Sequence, residues 1–169
     1  MVDLRLRPLR ADDELPALAA HAELAPENFE FLLDWSPEDG WSEYLERLRR
    51  LRRGDDLPPD RVPATFLVAE VGSEIVGRAS IRHELNAFLA ELGGHIGYGV
   101  RPHHRRRGYA VEILRQSLVV ARAEGVERVL VTCDDDNIPS VRVIERLGGV
   151  LEDVRAAPGA TPKRRYWIG

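Results

Sequence analysis

A chain of 169 residues in which 44% are hydrophobic is long enough to bury one core and too short for two large domains. Its 24 Lys and Arg residues against 28 Asp and Glu leave a net charge of −4, which argues against general attraction to nucleic acid or to an anionic membrane. The sole cysteine, Cys133, excludes an intramolecular disulfide, and no apolar run reaches the length of a membrane span or signal peptide. We therefore expect one domain over residues 1–169 in the cytoplasm, with neither nucleic acid nor membrane as a partner.

The N-terminal half of the chain changes from a strand pattern to two helix patterns and back. Apolar and charged residues alternate from Val2 to Leu9, which predicts a half-buried strand. Apolar residues then recur at helical spacing over 11–24 and 37–53, and Ser36 is the expected N-cap of the second helix. Two β-rich runs, 64–71 and 75–81, flank a glycine-containing turn and predict an antiparallel hairpin.

The C-terminal half predicts further strands and helices in alternation. A strand covers His95–Val100, and a helix begins after Gly108 and ends near Gly125. The remaining elements are a strand at 129–132, a helix at 138–147 and a final hairpin of strands at 150–155 and 164–168. This order implies an α/β (α+β) fold, with a mixed sheet of about seven strands covered by about four helices.

One segment concentrates positive charge inside this acidic chain. Arginines and histidines fill the stretch Arg101–Arg107, between the strand that ends at Val100 and the helix that begins after Gly108. A helix start leaves unbonded backbone N–H groups, and glycine lets a ligand approach the backbone closely, so such a turn can bind phosphate. Basic runs are more often solvated loops, so the flanking residues decide between the two interpretations.

Those flanking residues resemble a known family. The pattern Arg105-x-x-Gly108-x-Ala110 is similar to the pyrophosphate-binding signature (Gln/Arg)-x-x-Gly-x-(Gly/Ala) of the GNAT superfamily of N-acetyltransferases. A second family landmark, Asn-x-x-Ser at a strand-to-helix junction, matches Asn137 and Ser140. The resemblance covers roughly residues 66–154 and extends to a subgroup of uncharacterised bacterial GNAT proteins. It implies a single GNAT-like domain whose mainly antiparallel sheet contains a splayed strand pair that forms the cofactor cleft.

The resemblance also implies the reaction and the cofactor site. It implies direct transfer of an acetyl group from acetyl-CoA to a primary amine of a small-molecule or peptide acceptor. Val100 would present its backbone N–H to the thioester carbonyl, and Asn137 and Ser140 would lie along the pantetheine arm. The pyrophosphate would meet the turn and helix start, which are formed by Arg105, Arg106, Arg107, Gly108, Tyr109 and Ala110. Family members often dimerise, so the resemblance is compatible with a homodimer and leaves the oligomeric state undecided.

The catalytic side chains are less well defined by the sequence. His95 is the leading candidate for the base, because it begins the splayed strand where relatives often carry a glutamate, and an imidazole has a suitable pKa. Its alternative role is that of a packed or solvated histidine. Glu84 is the next candidate, as a base or a residue at the rim. Many relatives place a tyrosine, as the general acid, where this chain has Ile144. The departing thiolate would then be protonated by Tyr166 or by a water, or it would leave unaided.

Other interpretations remain open at this stage. A non-catalytic module that senses CoA or acyl-CoA is the alternative function, because the expected tyrosine is missing. No metal is expected, since the consecutive acids 134–136 cannot all face one ion. Together with the acids of the 54–60 loop, they favour a cationic amine as the acceptor. Aromatic residues between positions 29 and 41 mark the family's usual acceptor pocket, although core packing is their commoner role.

Overall fold

The computed structural model describes residues 2–169 and contains one seven-stranded sheet. The strands are β1 (Leu4–Arg7), β2 (Ala64–Val71), β3 (Glu74–Arg82), β4 (Ile96–Val100), β5 (Val129–Asp134), β6 (Val150–Ala157) and β7 (Ala160–Ile168). Their spatial order is β1-β2-β3-β4-β5-β7-β6, and every neighbouring pair is antiparallel except β4 with β5. The mixed, mainly antiparallel sheet that the sequence predicted is confirmed.

Helices cover both faces of this sheet. They are α1 (Glu14–Leu24), α2 (Trp41–Arg53), α3 (Tyr109–Ala123) and α4 (Ile138–Arg146). Helices α1 and α2 pack on the face that carries Phe66 and Val68, and α3 and α4 pack on the face that carries Leu67 and Ala69. Successive strand residues point to opposite faces, so β2 is buried along almost its whole length. None of the helices among residues 2–169 is both long and apolar enough to cross a membrane.

The second helix begins later than the sequence predicted. It starts at Trp41 with Gly40 as its N-cap, so the assignment of this role to Ser36 was wrong. Ser36 instead opens a turn in which its carbonyl accepts a hydrogen bond from Asp39 N–H (2.9 Å) and its own N–H donates to Asp39 Oδ2 (3.0 Å). This turn uses the Ser36 backbone groups before the helix can begin.

The sheet opens between β4 and β5. Within residues 2–169 these strands share a single registered pair, Ile96 with Val131, beside a hydrogen bond from His95 N–H to Leu130 O (2.7 Å). On its other side, β4 pairs with β3 over its full length. The two parallel strands therefore diverge after Ile96, which confirms the expected splayed pair.

A buried ion cluster fixes the first strand to the second and to the turn before α1. The Arg7 guanidinium donates to Asp13 Oδ2 (2.6 Å) and to Glu70 Oε2 (2.5 Å), and all three side chains are buried. Exposed Arg5 adds a second cation to Glu70 (2.9 Å). Hydrogen bonds from Arg7 and then Arg5 lower the pKa of Glu70 to about 2. The carboxylate is therefore stabilised in its charged form by the fold.

We predict that Arg7→Met is far more destabilising than Arg5→Met. Loss of Arg7 leaves buried Asp13 without a cationic partner and Glu70 with only the exposed Arg5, and should lower the free energy of unfolding by about 3–5 kcal/mol at neutral pH. Loss of the exposed Arg5 should cost less than about 1 kcal/mol. Urea unfolding of both variants measures the difference.

The same pair of variants tests the pH dependence. Because the folded-state pKa of Glu70 is depressed, its contribution to stability is present above the ordinary carboxyl pKa and is lost as the pH falls toward about 2. The cost of Arg7→Met should therefore shrink in acid, where the unpaired carboxyls take up protons. Equal costs for the two arginines, or a pH-independent cost for Arg7→Met, would contradict this role.

Candidate active site

A cleft of about 1010 Å³ lies where β4 and β5 separate. Its walls come from the end of β4, the turn after it, the first turns of α3 and α4, and the segment that follows α1. Cleft residues that the sequence predicted as cofactor contacts are Val100, Arg105, Arg106, Gly108, Tyr109, Ala110, Asn137 and Ser140. The structure therefore brings together eight of the nine residues of that set.

The exception is Arg107, whose side chain lies outside the cleft. It is exposed, and its Nη2 donates to His103 O (3.3 Å) across the basic turn. A direct side-chain contact from Arg107 to a ligand in the cleft is therefore not part of this arrangement. Arg106, the residue before it, lines the cleft and has a left-handed backbone conformation (φ +62°).

The edge of β4 turns unpaired backbone toward the cleft. Arg101 N–H donates to Val76 O (2.8 Å), so the backbone groups of Arg101 face β3. Backbone groups alternate in direction along a strand, so those of Tyr98 and Val100 face away from β3, toward β5. Both residues line the cleft. The Val100 carbonyl accepts a hydrogen bond from Arg105 Nε (3.1 Å), which holds the turn against the strand. The expected position of the Val100 N–H, facing the gap between the strands, agrees with this geometry.

The basic turn leads directly into the start of α3. Gly108 is the N-cap with a left-handed conformation (φ +82°), and a Cβ there would meet only Val2, at 3.8 Å. The first helical hydrogen bond runs from Glu112 N–H to Gly108 O (3.2 Å), so the amides before Glu112 lie outside the helical ladder. Together with the helix dipole, these amides favour an anion at this end of the cleft.

Arg105 is already paired within the protein. Its two terminal nitrogens donate to the Glu27 carboxylate (3.1 and 2.5 Å), and both side chains are about half exposed. The hydrogen bond from Arg105 lowers the pKa of Glu27. Arg105 thus connects the turn to the segment that follows α1, in addition to facing the cleft.

The start of α4 forms the opposite wall. Asn137 caps this helix, because its Oδ1 accepts a hydrogen bond from Ser140 N–H (3.3 Å), and the same residue lines the cleft. Capping and ligand contact are compatible, since the cap uses the amide oxygen and leaves the side-chain NH2 group free to donate.

Tyr98 is a cleft residue that the sequence analysis did not single out. Its hydroxyl is buried and has no hydrogen-bond partner among the described residues. Burial raises the pKa of Tyr98 to about 12, and the nearby Ser140 hydroxyl acts in the opposite direction. The strand period could have identified this residue, because Tyr98 shares the orientation of Val100 two positions later.

The opposite face of β4 carries two glycines under larger side chains. A Cβ at Gly99 would lie 2.4 Å from Cζ of Phe29, so the Phe29 ring occupies the space that a side chain would fill. The Arg78 guanidinium stacks on the same ring, with its centre 4.3 Å from the ring centroid. A Cβ at Gly97 would lie 3.3 Å from Nη1 of Arg82. This face packs toward α1 and α2 rather than toward α3.

A second cavity of about 990 Å³ lies on that face. It is enclosed by α2, strands β2 and β3, and the connections 55–62 and 86–89. Its lining includes Phe66, Ser80 and Arg82 from the sheet. The acidic 54–60 loop, which in the sequence analysis favoured a cationic amine acceptor, forms part of its rim through residues 55, 56 and 60.

A comparison with protein families identifies the group to which this arrangement belongs. The family model described as an acetyltransferase (GNAT) domain matches residues 3–150, which is most of the chain. The chain belongs to the GNAT acetyltransferase family. The expectation drawn from the basic turn and the Asn-x-x-Ser segment is confirmed at this level.

Individual relatives agree with the family assignment. The chain is 32% identical over 74 residues to the uncharacterized N-acetyltransferase YjdG of Bacillus subtilis (strain 168), an alignment that covers 43% of this chain and 40% of that protein. Ribosomal-protein-S5-alanine acetyltransferase from Vibrio fischeri has a similar fold, with a TM-score of 0.71 and 17% identity over 99% of this chain and 93% of that one. Microcin C7 self immunity acetyltransferase MccE, solved with acetyl-CoA and AMP, also has a similar fold. Its TM-score is 0.68, and its sequence is 15% identical over 98% of this chain and 91% of that one.

The structure places the candidate base of this GNAT protein in a buried position. His95 is 6% exposed, and its Nδ1 accepts a hydrogen bond from Leu130 N–H (2.9 Å). Burial, followed by the charge of Arg82, lowers the pKa of His95 to about 4. The ring is therefore neutral near pH 7 and a weaker base than an ordinary histidine, in contrast to the suitable pKa expected from the sequence. The role of His95 as the base stays a prediction, and this environment disfavours it.

The other catalytic candidates lie apart from both cavities. Glu84 is exposed in the bend after β3 and lines neither cavity. Tyr166 is fully buried, donates its hydroxyl proton to Glu145 Oε1 (3.1 Å) and likewise lines neither cavity. Ile144 is a fully buried core residue of α4. The structure therefore does not bring Glu84 or Tyr166 together with the cofactor residues.

Cys133 and the acids that follow it have surroundings that favour a structural role. Burial raises the pKa of the Cys133 thiol to about 11, which makes a reactive thiolate unfavourable. Asp134 and Asp135 form ion pairs with Lys163 and Arg164. Among residues 2–169, no three His, Cys, Asp or Glu side chains form a group that could hold a metal ion.

We predict that the His95 ring titrates with a pKa of about 4, as measured by NMR of its imidazole protons. The cause is burial, with a contribution from Arg82, so Arg82→Gln should raise this value while leaving the Leu130 hydrogen bond in place. A pKa near the ordinary histidine value of about 6.5 would contradict the buried, neutral ring.

Proposed function

We propose that the protein is an acetyl-CoA-dependent N-acetyltransferase of one domain, residues 1–169, that transfers the acetyl group directly to a primary amine. The observation that carries this proposal is the cleft between β4 and β5, which combines an unpaired strand edge with the free amides of a helix start. The related MccE was solved with acetyl-CoA, which supports the choice of cofactor.

We assign the pyrophosphate to the turn and the first amides of α3. The amides of residues 106–110 and the helix dipole would bind the phosphate oxygens, and Arg106 would add its charge. Arg105 would take part only by sharing or releasing its bond to Glu27. The pantetheine arm would then run beside Tyr98 and Val100 as an additional strand, with Asn137 and Ser140 opposite.

Val100 would activate the thioester. Its backbone N–H points into the gap and would donate a hydrogen bond to the carbonyl oxygen, where negative charge develops as the amine attacks. The amine nitrogen bonds to the carbonyl carbon, the carbon–sulfur bond breaks, and the electron pair leaves with the sulfur as a thiolate. The amine must enter without its proton, or lose it during attack.

Tyr98 is the residue that we assign to the departing thiolate. Its hydroxyl is buried at the wall of the cleft near the Ser140 hydroxyl and makes no hydrogen bond within the described residues, and such a group is costly unless a ligand satisfies it. With a pKa of about 12 the phenol keeps its proton at neutral pH, so it would stabilise the thiolate by a hydrogen bond instead of giving the proton up. A thiol pKa of about 8.5 lets the thiolate depart with that assistance.

The proton of the amine is assigned to water. His95 has a pKa of about 4 and Glu84 is exposed outside both cavities, so neither offers a base with a pKa near 7 at the reaction centre. An amine that is partly neutral at physiological pH, such as an α-amino group with a pKa of about 8, would suit this site better than a lysine-like amine.

We predict that Gly108→Glu weakens acetyl-CoA binding by at least about tenfold. The new carboxylate would stand where the phosphate oxygens approach, and like charges about 4 Å apart repel by about 1–4 kcal/mol. Isothermal titration calorimetry of the purified variant with acetyl-CoA measures the loss.

Gly125→Glu is the matched control for this variant. Gly125 follows the other end of the same helix, has a left-handed conformation (φ +90°) and has no heavy atom within 4 Å of an added Cβ. The Gly125→Glu substitution therefore adds the same charge and similar backbone strain, but at a position away from the cleft. Equal affinity in the two variants would remove the turn from the cofactor site, and absence of acetyl-CoA binding in the wild type would overturn the proposed function.

We predict that Tyr98→Phe lowers kcat by about tenfold to a hundredfold. A hydrogen bond to a charged group contributes about 1.5–3 kcal/mol, and its loss would raise the barrier by that amount. Release of free thiol from acetyl-CoA, measured with the best acceptor from a panel of primary amines, gives the rate. Tyr166→Phe should leave kcat unchanged and reduce only stability, because its hydroxyl is bonded to Glu145.

The reverse result, a loss of kcat in Tyr166→Phe alone, would restore Tyr166 as the catalytic tyrosine. If the protein binds acetyl-CoA and no amine of a broad panel is acetylated, the alternative of a non-catalytic CoA sensor is supported.

A further inference from the structure

Two neighbouring arginines lie on the face of the sheet that is turned away from the cofactor turn. Arg78 and Arg82 belong to β3 and share the face of His95, Gly97 and Gly99. A Cβ at Gly97 would lie 3.3 Å from Nη1 of Arg82 and 3.7 Å from Nη1 of Arg78. The two guanidinium groups therefore both lie over Gly97. The charge of Arg82 adds to the effect of burial in lowering the pKa of Arg78 and of His95.

Arg78 is held by uncharged groups. It is 4% exposed and donates to three backbone carbonyls, Phe31 O (3.2 Å), Glu30 O (2.6 Å) and Gly97 O (3.3 Å). Burial, together with the charge of Arg82, lowers the pKa of Arg78 to about 9. Its hydrogen bonds are satisfied, but no carboxylate among residues 2–169 forms an ion pair with it.

The charge of Arg82 has even fewer compensating partners than that of Arg78. Its backbone N–H donates to His95 O (2.7 Å), but its guanidinium has no hydrogen-bond or ion-pair partner in the described part of the chain. Burial and the charge of Arg61 lower the pKa of Arg82. The side chain lines the second cavity beside Ser80, so its five N–H donors are available there.

This lack of a counter-ion is unusual within this protein. The other arginines of comparable burial have carboxylate partners: Arg7 pairs with Asp13 and Glu70, Arg101 with Glu23, and Arg165 with Glu152 and Asp153. Arg82 is partly buried and its unpartnered nitrogens are reached by solvent, so a ligand that enters the cavity can supply the missing negative charge.

The acidic residues of the cavity do not supply that charge. Asp34 is paired with Arg61 and Asp55 with Arg53, both at exposed positions. The carboxyls of Asp56 and Asp60 lie on the exposed connection at the rim. The floor of the cavity is therefore positive, and its rim is mixed.

We propose that Arg82, with Arg78 behind it, binds an anionic group of the amine acceptor, a carboxylate or a phosphate. This inference rests on the proposed function, since it places the acceptor in the second cavity. Arg82 is the specificity-determining residue, because its planar guanidinium can bind either group with two parallel hydrogen bonds. The acceptor is then an amine that also carries negative charge, in contrast to the purely cationic amine that the acidic loops favoured.

Matched acceptor pairs test this proposal. Acetyl transfer from acetyl-CoA should be faster to glycine than to glycinamide, faster to β-alanine than to β-alaninamide, or faster to O-phosphoethanolamine than to ethanolamine. The first two pairs identify a carboxylate and the third a phosphate. Arg82→Gln should lower kcat/KM for the preferred charged acceptor by at least about tenfold, mainly through KM, and leave its uncharged partner unaffected.

Two variants serve as controls. Arg82→Lys keeps the charge but not the paired hydrogen bonds and should recover part of the preference. Arg61→Gln removes a charge from the exposed rim of the same cavity, where Arg61 is already paired with Asp34, and should leave the preference intact. Acetyl-CoA affinity, measured by calorimetry, should be equal in all these proteins.

A stability measurement covers the case in which none of these amines is acetylated. Acetate and inorganic phosphate should raise the midpoint of thermal unfolding of the wild type more than that of Arg82→Gln. In the absence of added anion, Arg82→Gln should unfold at a higher temperature than the wild type, because an unpaired charge is removed.

The outcomes separate the two proposals. Equal rates within each pair, or the same loss in Arg82→Gln for charged and uncharged acceptors, overturn the anion site while acetyl-CoA binding still supports the enzyme. A lower midpoint in Arg82→Gln with no difference in the effect of anions also overturns it, since Arg82 would then be structural. Failure of the wild type to bind acetyl-CoA overturns the proposed function itself.

Discussion

The composition of β4 is the constraint on which the rest of the structure depends. Its sequence, Ile96-Gly97-Tyr98-Gly99-Val100, alternates large side chains with glycine, so one face fills the core against α3 and the other is left open. Phe29 and the two arginines of β3 enter the open face, and a Cβ at either glycine would meet them. At the same time the strand leaves β5 after one registered pair, which exposes its edge. A single five-residue strand thus forms both walls of the candidate site.

Charge is distributed along this strand in a way that the net charge of −4 conceals. At the far end of β4, the basic turn and the start of α3 concentrate positive potential where the cleft opens. On the opposite face of β4, Arg78 and Arg82 concentrate it again, Arg78 opposite Gly99 and Arg82 beside His95. Most remaining arginines at the surface are paired with nearby acids, as Arg115 is with Glu112 and Arg53 with Glu46. Among the arginines of the described chain that are at least partly buried, Arg78 and Arg82 are the two without a carboxylate partner, and Arg82 lines the second cavity.

The sequence predicted the fold well because its signals are local and periodic. Strand alternation, helical spacing and glycine turns located all seven strands and the four long helices, but not the short helical segment Leu89–Gly93. The start of α2 was wrong because the turn at Ser36 takes up backbone groups that a cap would use. The predicted cofactor residues come together in one cleft for the same reason, since the turn and the Asn-x-x-Ser segment are continuous stretches. Only Arg107, whose side chain turns back to His103, falls outside the cleft.

The environments of the candidate catalytic residues were harder to predict because their properties depend on partners distant in sequence. The pKa of His95 depends on Leu130 and Arg82, and the position of Tyr166 depends on Glu145, and no local pattern reveals either relation. The unpaired state of Arg82 is likewise a property of the whole fold, because it requires knowing that no acid reaches it. Sequence spacing locates a backbone site reliably, whereas protonation and compensation of charge require the tertiary structure.

The segment that follows α1 connects the two sides of β4. Over Glu27–Phe31 it pairs with Arg105 of the basic turn, places the Phe29 ring on Gly99, and offers two carbonyls to Arg78. Competition of an anion for Arg105 would loosen the first of these bonds and alter the support of the other two. Any such effect is reciprocal, because a ligand that shifts the segment from one side changes the affinity on the other side by the same factor. A ligand that displaces Arg105 from Glu27 is therefore expected to alter the support of Arg78 on the other side of β4.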